Sequence, residues 1–508
     1  MEVDIDGSRF AERTRSFVEW FQALPGATFR SDLIAVEDLR AQNAGRGIVA
    51  LADVEPDTVL FTIPRNAIIC AATSQLRDKI PHVFGLDNDD AGQPDSGDDD
   101  DDGSGAQQDS WTLLILAMLY EYLQGESSRW KPYLDVLPTV FDTPMFWSPA
   151  ELSEFQASAL VAKVGKDEAD RMIKTKIIPV VRAHEQVFFP PGSSSQTLDD
   201  AQLLALAHRM GSTIMAYAFD LESDDPEIKQ ADEEADDEWV EDREGKTMLG
   251  MVPMADILNA DAEFNAHINH GEDALTATAL RRIKAGEEIF NYYGPLPNGE
   301  LLRRYGYVTP HHSRYDVVEL PWDLVEAELR QRAAGGSVAP SDWEKARKLT
   351  LADDAFEESF VLERASDDPD SEGRLGTDTV FAGLPDELGE QFKAFLKSIK
   401  KVCNANLAVL ALSDGDMRKN LYLQAVLGAL QARERQYATS LEEDEHIIRA
   451  GQLTRRQQMA VWVRRGEKQV LREAQAWVRR QMDELRNNLA SEKRAQGDDG
   501  PTAKRRRV

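Results

Sequence analysis

Two groups of short strand-like segments, separated by a long helical stretch, constrain the fold of this chain more than any other feature. The first group is LIAVEDL, RGIVALADV and TVLFTIP, and the second is MLGMVP, ALTATALRRI and EEIFNYYG. Apolar residues at helical spacing fill the stretch between the groups and return after Pro321. The pattern predicts an α+β fold in which a helical insert splits a β-rich domain and an all-α domain follows.

Changes of pattern and charge place the predicted boundaries. In the insert, Asp109 or Ser110 can cap the helix WTLLILAMLYEYL, which is apolar nearly all round and so belongs in a core. The predicted segments are residues 17–86 and 246–320 for the two parts of the β-rich domain, 87–106 for an acidic disordered loop, 107–245 for the helical insert with a second acidic loop at 220–245, 321–488 for the all-α domain with a polar loop at 365–379, and 489–508 for a basic tail.

The formal net charge is −32, and much of the acid lies in residues 87–102 and 220–244. Such runs are typical of solvated loops, and a role in steering a lysine-rich substrate stays open. An acidic chain repels nucleic acid and anionic lipid and attracts basic proteins, so no direct nucleic-acid binding is expected. The tail is basic instead. Lys493-Arg494 and Lys504-Arg505-Arg506-Arg507 resemble a bipartite nuclear import signal, with RNA binding or a solvated end as alternatives.

Cysteine content and apolar runs bear on the compartment. The chain has only Cys70 and Cys403, which excludes a disulfide scaffold and a thiolate zinc cluster and suits a reducing compartment. No metal site is predicted. The acidic start lacks the apolar core of a secretory signal, and the longest apolar run, Trp111 to Tyr120, is far shorter than a membrane span. The sequence therefore predicts a soluble intracellular protein with no membrane partner.

Two short motifs offer candidate ligand-binding groups. Gly45-Arg46-Gly47 precedes a strand, and paired glycines let a backbone approach a ligand closely, although a lone GxG is more often an ordinary turn. Asp256 and Asn259 lie three residues apart, which predicts that they share one side of a helical turn. Asn259 suits the polar edge of a buried ligand, while helix capping is the alternative for both residues.

A concentration of tyrosines follows, in the segments FNYYG and RRYGYV. Phenols can bracket an amine and give a π-rich wall for a cation, although a single tyrosine is more often a core or rim residue. The order of the motifs along the chain makes the set more specific than any single motif. GxG, DxxN, NYYG and YGY succeed one another along the chain, and each adds to the specificity of the others.

In that order the motifs resemble those of the SET-domain methyltransferases. MVPMADILN and KAGEEIFNYYGPLPNGELLRRYGYV, with the helical C-terminal region, resemble the branch that contains the Rubisco lysine methyltransferases. Within it the chain is similar to the group of fungal ribosomal lysine N-methyltransferase 4 and vertebrate SET-domain-containing protein 6. The resemblance extends from Phe17 to Leu485. It implies a SET domain of small sheets with a knot-like crossing, split by the insert and followed by an all-α substrate-binding domain.

The resemblance also implies a cofactor, S-adenosylmethionine, and the residues that bind it. The backbone of the GxG motif would hold the methionine portion, Asn259 would hydrogen-bond to the cofactor, and Tyr307 would pack near the adenine. The family usually has Asn-His where this chain has Asn259-Ala260. Because that histidine mainly presents backbone groups to the adenine, Ala260 can still serve. The implied cofactor-binding residues are Gly45, Arg46, Gly47, Asp256, Asn259, Ala260, Tyr293 and Tyr307.

Methyl transfer from a sulfonium requires neither a metal nor a nucleophilic side chain. The enzyme must deliver a neutral amine in line with the S–CH₃ bond, and a dry channel beside a sulfonium favours the neutral amine. We assign Tyr293 to orient the amine and the methyl group, and Tyr305 to form the second wall of the lysine channel. Tyr217 is a further channel candidate. The sequence shows no general base, and water can carry the proton away.

The subgroup favours monomethylation of a large-subunit ribosomal protein, which would be a basic partner met in the nucleus, with the cytoplasm as a second location. An import receptor would bind the basic tail. A non-ribosomal nuclear protein is the alternative substrate. A non-catalytic SET-fold binding module ranks lower, because it predicts the loss of positions such as Asn259, Tyr293 and Tyr305. Histidine methylation also ranks lower, because the actin-directed branch lacks a tyrosine at the position of Tyr305.

Overall fold

The structure, a computed structural model, describes residues 2–42, 44–85, 109–190, 198–222, 247–333, 338–351, 356–376, 379–402 and 415–497. The predicted acidic loop at 87–106, most of the one at 220–245 and the basic cluster at 504–507 lie outside these residues. The strands are β1 (Thr28–Phe29), β2 (Ile34–Asp38), β3 (Arg46–Ala50), β4 (Val59–Pro64), β5 (Ala218–Glu222), β6 (Thr247–Met251), β7 (Asn259–Ala260), β8 (Ala266–His270), β9 (Ala274–Ala279), β10 (Glu288–Asn291), β11 (Val318–Pro321), β12 (Ser359–Leu362), β13 (Arg364–Ser366) and β14 (Thr379–Phe381).

The α-helices are numbered in the same way. They are α1 (Glu2–Ala23), α2 (Leu76–Lys79), α3 (Ser110–Leu123), α4 (Lys131–Leu134), α5 (Pro149–Leu152), α6 (Lys166–Met172), α7 (Ile178–Ala183), α8 (Glu185–Phe188), α9 (Asp200–Tyr217), α10 (Asn298–Tyr305), α11 (Trp322–Ala333), α12 (Pro340–Leu351), α13 (Asp386–Val402), α14 (Gly415–Glu434), α15 (Leu441–Ala450) and α16 (Arg455–Gly497).

Two four-stranded sheets join the two strand-rich parts of the chain. One has the order β1-β4-β9-β8 and the other the order β2-β3-β10-β7. In the second sheet β10 pairs antiparallel with β3 and parallel with β7, with Phe290 opposite Asn259 and Asn291 opposite Ala260. Each sheet therefore joins two adjacent strands from before the insert to two adjacent strands from after it. This confirms the predicted β-rich domain that a helical insert divides.

The predicted apolar helix forms and is buried. The Asp109 side chain caps α3 by accepting a hydrogen bond from the backbone N–H of Thr112 at 2.7 Å. Residues all round α3 belong to a core that runs from Phe17 to Ile289 and includes both sheets. A second core, from Val318 to Val478, holds the C-terminal helices together. None of the described helices is both long and apolar enough to cross a membrane.

A third, small cluster of buried residues joins these two cores. It brings α10 and α16 together with the segment between α4 and α6, so the C-terminal helix packs directly on the β-rich part. Its buried members are Trp147, Phe155, Leu160, Leu302, Met459, Ala460 and Val463.

Two local predictions are wrong. The C-terminal region is helical, as predicted, but it is not all-α, because β11 pairs with β12 and β13 with β14. Val318 and Leu320 are buried and alternate with more exposed neighbours. This strand-like alternation covers too few residues to be recognised within a region of helical patterns. The helical insert also ends earlier than expected. Residues 218–222 form β5, paired with β6, where we expected helix and then acidic loop.

Candidate active site

A cavity of about 800 Å³ lies where β7 and β10 meet the end of α10 and the start of α16. A second cavity, of about 340 Å³, lies beside it, and Gly45, Tyr217 and Asn259 line both. We call them the main cavity and the side cavity. Arg46 and Asp256 line only the side cavity. Gly47 is buried within β3 and lines neither cavity. The predicted site residues on the main cavity are Gly45, Tyr217, Asn259, Ala260, Tyr293, Tyr305 and Tyr307.

Glycine is required at the two positions of the GxG motif for different structural reasons. Gly45 has φ +74°, in the left-handed region that favours glycine, and nothing lies within 4 Å of the position of a Cβ atom. Gly47 is instead crowded. A Cβ there would collide with Leu39 Cδ1 and lie 2.7 Å from Glu288 Oε1 and 2.9 Å from Asn259 Nδ2. The motif is therefore more than an ordinary turn, since one glycine shapes the backbone and the other admits two polar side chains.

Arg46 points away from the main cavity. Its Nε donates to Thr14 Oγ1 at 2.9 Å, its Nη1 donates to Val136 O at 2.8 Å, and its guanidinium lies 3.8 Å from the centroid of the Phe10 ring. Burial lowers the pKa of Arg46 to about 10. The arginine side chain thus ties β3 to α1, which leaves only its backbone for the predicted contact with a ligand.

Asp256 and Asn259 do not share a helical turn, contrary to the prediction. Asp256 lies in a single 3₁₀ turn, Ala255–Ile257, that follows Met254 at φ +80°, whereas Asn259 begins β7. Neither side chain caps the turn, which excludes the capping alternative. Pairing with β10 overrides the local helical spacing here.

The Asn259 side chain closes one end of the main cavity. Its Nδ2 donates to Arg46 O at 3.1 Å and to Glu288 Oε1 at 2.6 Å, and burial raises the pKa of Glu288. The neighbouring Ala260 is held through its backbone, because Tyr307 Oη donates to Ala260 O at 3.2 Å. The hydrogen bonds thus fix the polar rim of the cavity through side chains and backbone together.

Three tyrosines form a wall of the main cavity. Tyr293 and Tyr305 stack with ring centroids 4.6 Å apart, and Tyr307 lies 6.3 Å from Tyr305 in a tilted arrangement. Tyr293 Oη donates to Leu258 O at 3.3 Å. Burial raises the pKa of Tyr293 and Tyr305 above the usual range and that of Tyr217 to about 12. All these phenols stay neutral at physiological pH and can donate hydrogen bonds.

Asp256 is held behind this wall. It is 8 % exposed, and its Oδ2 accepts a hydrogen bond from Tyr133 Oη at 2.5 Å. Burial raises the pKa of Asp256 to about 7, against the opposing effect of the Tyr133 hydroxyl and nearby backbone N–H groups. Its Oδ1 has no hydrogen-bond partner among the described residues. Nowhere in the described ranges do three histidine, cysteine or carboxylate side chains group as metal ligands would.

Sequence reasoning missed three contributors to the site: Glu288, Tyr133 and Trp462. Glu288 and Phe290 face the main cavity while Ile289 is buried, so the period of two along β10 could have indicated Glu288. Trp462 lies three residues after Met459, which the helical pattern places on the apolar face of α16. Nothing in the sequence indicates Tyr133, which reaches Asp256 across 123 positions.

Helix α16 forms the opposite wall of the main cavity. Arg455, Gln458, Met459 and Trp462 line it at helical spacing. Arg455 Nε lies 3.1 Å from Asp142 Oδ2, and Arg456 pairs with Asp142 at 3.4 Å and with Glu151 at 3.2 Å. The C-terminal region is therefore part of the cleft.

Sequence profiles of known families agree with this arrangement. The SET domain matches residues 45–294, and the Rubisco LSMT substrate-binding domain matches residues 392–471. A SET domain and a Rubisco LSMT substrate-binding domain are thus recognised in this chain. Ribosomal lysine N-methyltransferase 4 of Saccharomyces cerevisiae is 33% identical to this chain over 327 residues, which are 63% of the chain and 60% of the yeast protein. N-lysine methyltransferase SETD6 of Bos taurus is 27% identical over 475 residues, 90% of this chain and 93% of the bovine protein.

Solved structures show the same fold. The SET domain of LSMT bound to lysine and AdoHcy has a TM-score of 0.58 and 19% identity, with 94% of this chain and 92% of that chain covered. Rubisco LSMT bound to AdoMet has a TM-score of 0.57 and 20% identity, with 93% of each chain covered. The predicted SET fold with a helical C-terminal region is thereby confirmed.

Proposed function

We propose that this protein transfers one methyl group from S-adenosylmethionine to a lysine of a large-subunit ribosomal protein. The observation that carries the proposal is the tyrosine-walled main cavity, which lies between the GxG strand and the helix of the substrate-binding domain. A volume of about 800 Å³ is within the range of cofactor and ligand pockets.

The residues present fit this cofactor. Gly45 offers a bent backbone with open space beside it, and the side chain of Asn259 and the backbone of Ala260 supply polar groups at the same rim. Tyr307 adds a flat aromatic surface, as a purine requires. When bound, S-adenosylmethionine supplies a methyl group on a positively charged sulfur. The cofactor roles of Arg46, Gly47 and Asp256 remain predictions, because their side-chain positions lie off the main cavity.

The stacked tyrosines suit a lysine side chain. The π faces of Tyr293 and Tyr305 can contact the aliphatic stem and attract a cationic amine, and the neutral hydroxyl of Tyr293 can orient it. Tyr217 approaches from the end of α9 and lines both cavities. The residues therefore hold and orient an amine, and none of them is required as a nucleophile.

Two observations support a ribosomal substrate. The yeast relative is named for a ribosomal lysine, and the net charge of −32 favours a partner rich in lysine and arginine. The SETD6 relatives, which align over more of the chain, favour a non-ribosomal protein as the second candidate. We further propose nuclear import through a receptor that binds Lys504 to Arg507.

The test is transfer of labelled methyl groups to ribosomal proteins. Large subunits from cells that lack the gene are incubated with the full-length protein and labelled S-adenosylmethionine, and mass spectrometry locates the product. We expect one monomethylated lysine, and labelling about 10²-fold slower with Tyr293→Phe as the matched control. Transfer only to non-ribosomal proteins would favour the second candidate. Replacing Lys504 to Arg507 by alanine should abolish nuclear enrichment of a fluorescent fusion, and unchanged enrichment would refute the import proposal.

A further inference from the structure

A buried carboxylate oxygen beside the lysine site has no partner. Asp256 Oδ2 is engaged by Tyr133, while Oδ1 accepts no hydrogen bond among the described residues. An unsatisfied charged oxygen in such a place is costly, unless a ligand completes it. Asp256 lines the side cavity together with Tyr217 and Asn259, and these two residues also line the main cavity.

The groups that face Asp256 are mostly neutral. Tyr133 comes from α4, Tyr217 from the end of α9, and Tyr293 follows β10, and burial raises the pKa of all three. The charged residues on the side cavity are Arg9, Arg13, Arg46 and Asp135. Arg46 is bound to Thr14 and Val136, and no cation pairs with Asp256 in the described part of the chain. The carboxylate therefore lacks a positive partner close to a cavity that suits an ammonium group.

We propose that Asp256 Oδ1 accepts the proton that the substrate ammonium must lose before methyl transfer, with Tyr133 holding the carboxylate in position. The inference rests on the proposed function. In this step an N–H bond of the ammonium breaks, its electron pair stays on nitrogen, and an O–H bond forms on Asp256. The amine is then neutral and nucleophilic. After transfer, the proton leaves the carboxyl group for solvent through the side cavity, whose rim includes the exposed Arg9 and Arg13.

The pH dependence follows from the charge of the carboxylate. Burial raises the pKa of Asp256 to about 7, so the acceptor is available above that pH and protonated below it. The rate at limiting substrate should rise with pH and level off above about 7. In Asp256→Asn the amine must lose its proton to water, so the rising limb should move toward the intrinsic lysine pKa of about 10. The loss at pH 7 should be about 10²-fold, as is typical of general-base removal.

The experiment measures kcat/KM against pH with methyl-deficient large ribosomal subunits, for the full-length protein and three variants. Asp256→Asn should shift the limb and recover activity at high pH. Tyr133→Phe should shift the limb upward by a smaller amount with an unchanged plateau, because the charged carboxylate loses its hydrogen-bond donor. Asp316→Asn is the matched control, since Asp316 is another buried carboxylate with a pKa raised to about 7, and it lines neither cavity. It should leave the limb in place.

A second readout needs no substrate. Infrared difference spectra between acid and neutral pH should show protonated carboxyl bands, one lost in Asp256→Asn and another in Asp316→Asn. An unchanged limb in both Asp256→Asn and Tyr133→Phe would overturn the inference, as would a loss of affinity for S-adenosylhomocysteine with no change in pH profile. If Asp256→Asn does not fold, Tyr133→Phe alone decides. If no acceptor is methylated although the infrared bands of the buried carboxyl groups are present, the proposed function is refuted and not the role of Asp256.

Discussion

Gly47 gives the sharpest test of how the cofactor end of the site is built. In Gly47→Ala the new Cβ would lie 2.7 Å from Glu288 Oε1 and 2.9 Å from Asn259 Nδ2, closer than a methyl group tolerates. These two atoms are hydrogen-bonded to each other at 2.6 Å, so the added methyl must break or displace that bond. Losing a hydrogen bond to a charged group costs about 1.5–3 kcal/mol. If cofactor affinity depends on the position of Asn259, it should fall by about 10–100-fold, since about 1.4 kcal/mol corresponds to a tenfold change.

The assay is calorimetric titration with S-adenosylhomocysteine, alongside a thermal melt. Gly250→Ala is the matched control, because its Cβ would lie 2.6 Å from Leu221 Cδ1 and 2.8 Å from Ile68 Cγ2. Both atoms are apolar and belong to the core between β5 and β6 and the strand-rich part. The two variants should lose thermal stability to a similar degree.

Only Gly47→Ala should lose cofactor affinity. Wild-type affinity in Gly47→Ala, with a reduced melting temperature, would show that Asn259 and Glu288 do not position the cofactor. Equal losses in both variants would attribute the effect to general destabilisation.

Three further predictions concern the tyrosine wall, the rim and the junction with α16. Tyr293→Phe should lower kcat by about 10²-fold with unchanged affinity for S-adenosylmethionine, because its hydroxyl acts in the transition state, and single-turnover kinetics checks this. Asn259→Ala should raise the dissociation constant for the cofactor by about 10-fold or more, measured by calorimetry. Burial raises the pKa of Asp316 to about 7, well above its unfolded value of about 3.9, so its contribution to stability is full at low pH and is lost as pH rises to 7. Asp316→Asn should therefore gain unfolding free energy relative to the wild type between pH 5 and 8, by at most about 3 kcal/mol, and urea titrations at both pH values would show it.

The strand period was sufficient to predict the β-rich part. All six strand-like segments form strands, and each contributes alternating or continuous apolar residues to one core. The motifs also predict which residues meet, since Gly45, Asn259, Tyr293 and Tyr305 line one cavity although 260 positions separate the first from the last. Here the family resemblance supplies what local patterns cannot, because pairing across an insert is a tertiary property.

The errors have a common physical origin. Asn259 is in a strand because β10 offers it a parallel partner, although its spacing from Asp256 suits a helix. Residues 218–222 form a strand because β6 pairs with them. In each case a distant segment satisfies the backbone hydrogen bonds, and local spacing cannot reveal it. Tyr133 and Trp462 were missed for the same reason, since the local pattern around neither residue indicates that it reaches the site.

The C-terminal region and the tyrosine wall of the main cavity are connected through one packed unit. Leu302, one turn before Tyr305 on α10, is buried in the third, small cluster together with Met459 and Val463 of α16. Helix α10 then ends at Gly306, whose φ of +79° turns the chain toward Tyr307, and a Cβ there would lie 3.2 Å from the backbone of Asp142. Asp142 is itself ion-paired with the first turn of α16. The position of Tyr305 and Tyr307 therefore depends on contacts with α16 on two sides, so the C-terminal region and the tyrosine wall are physically coupled.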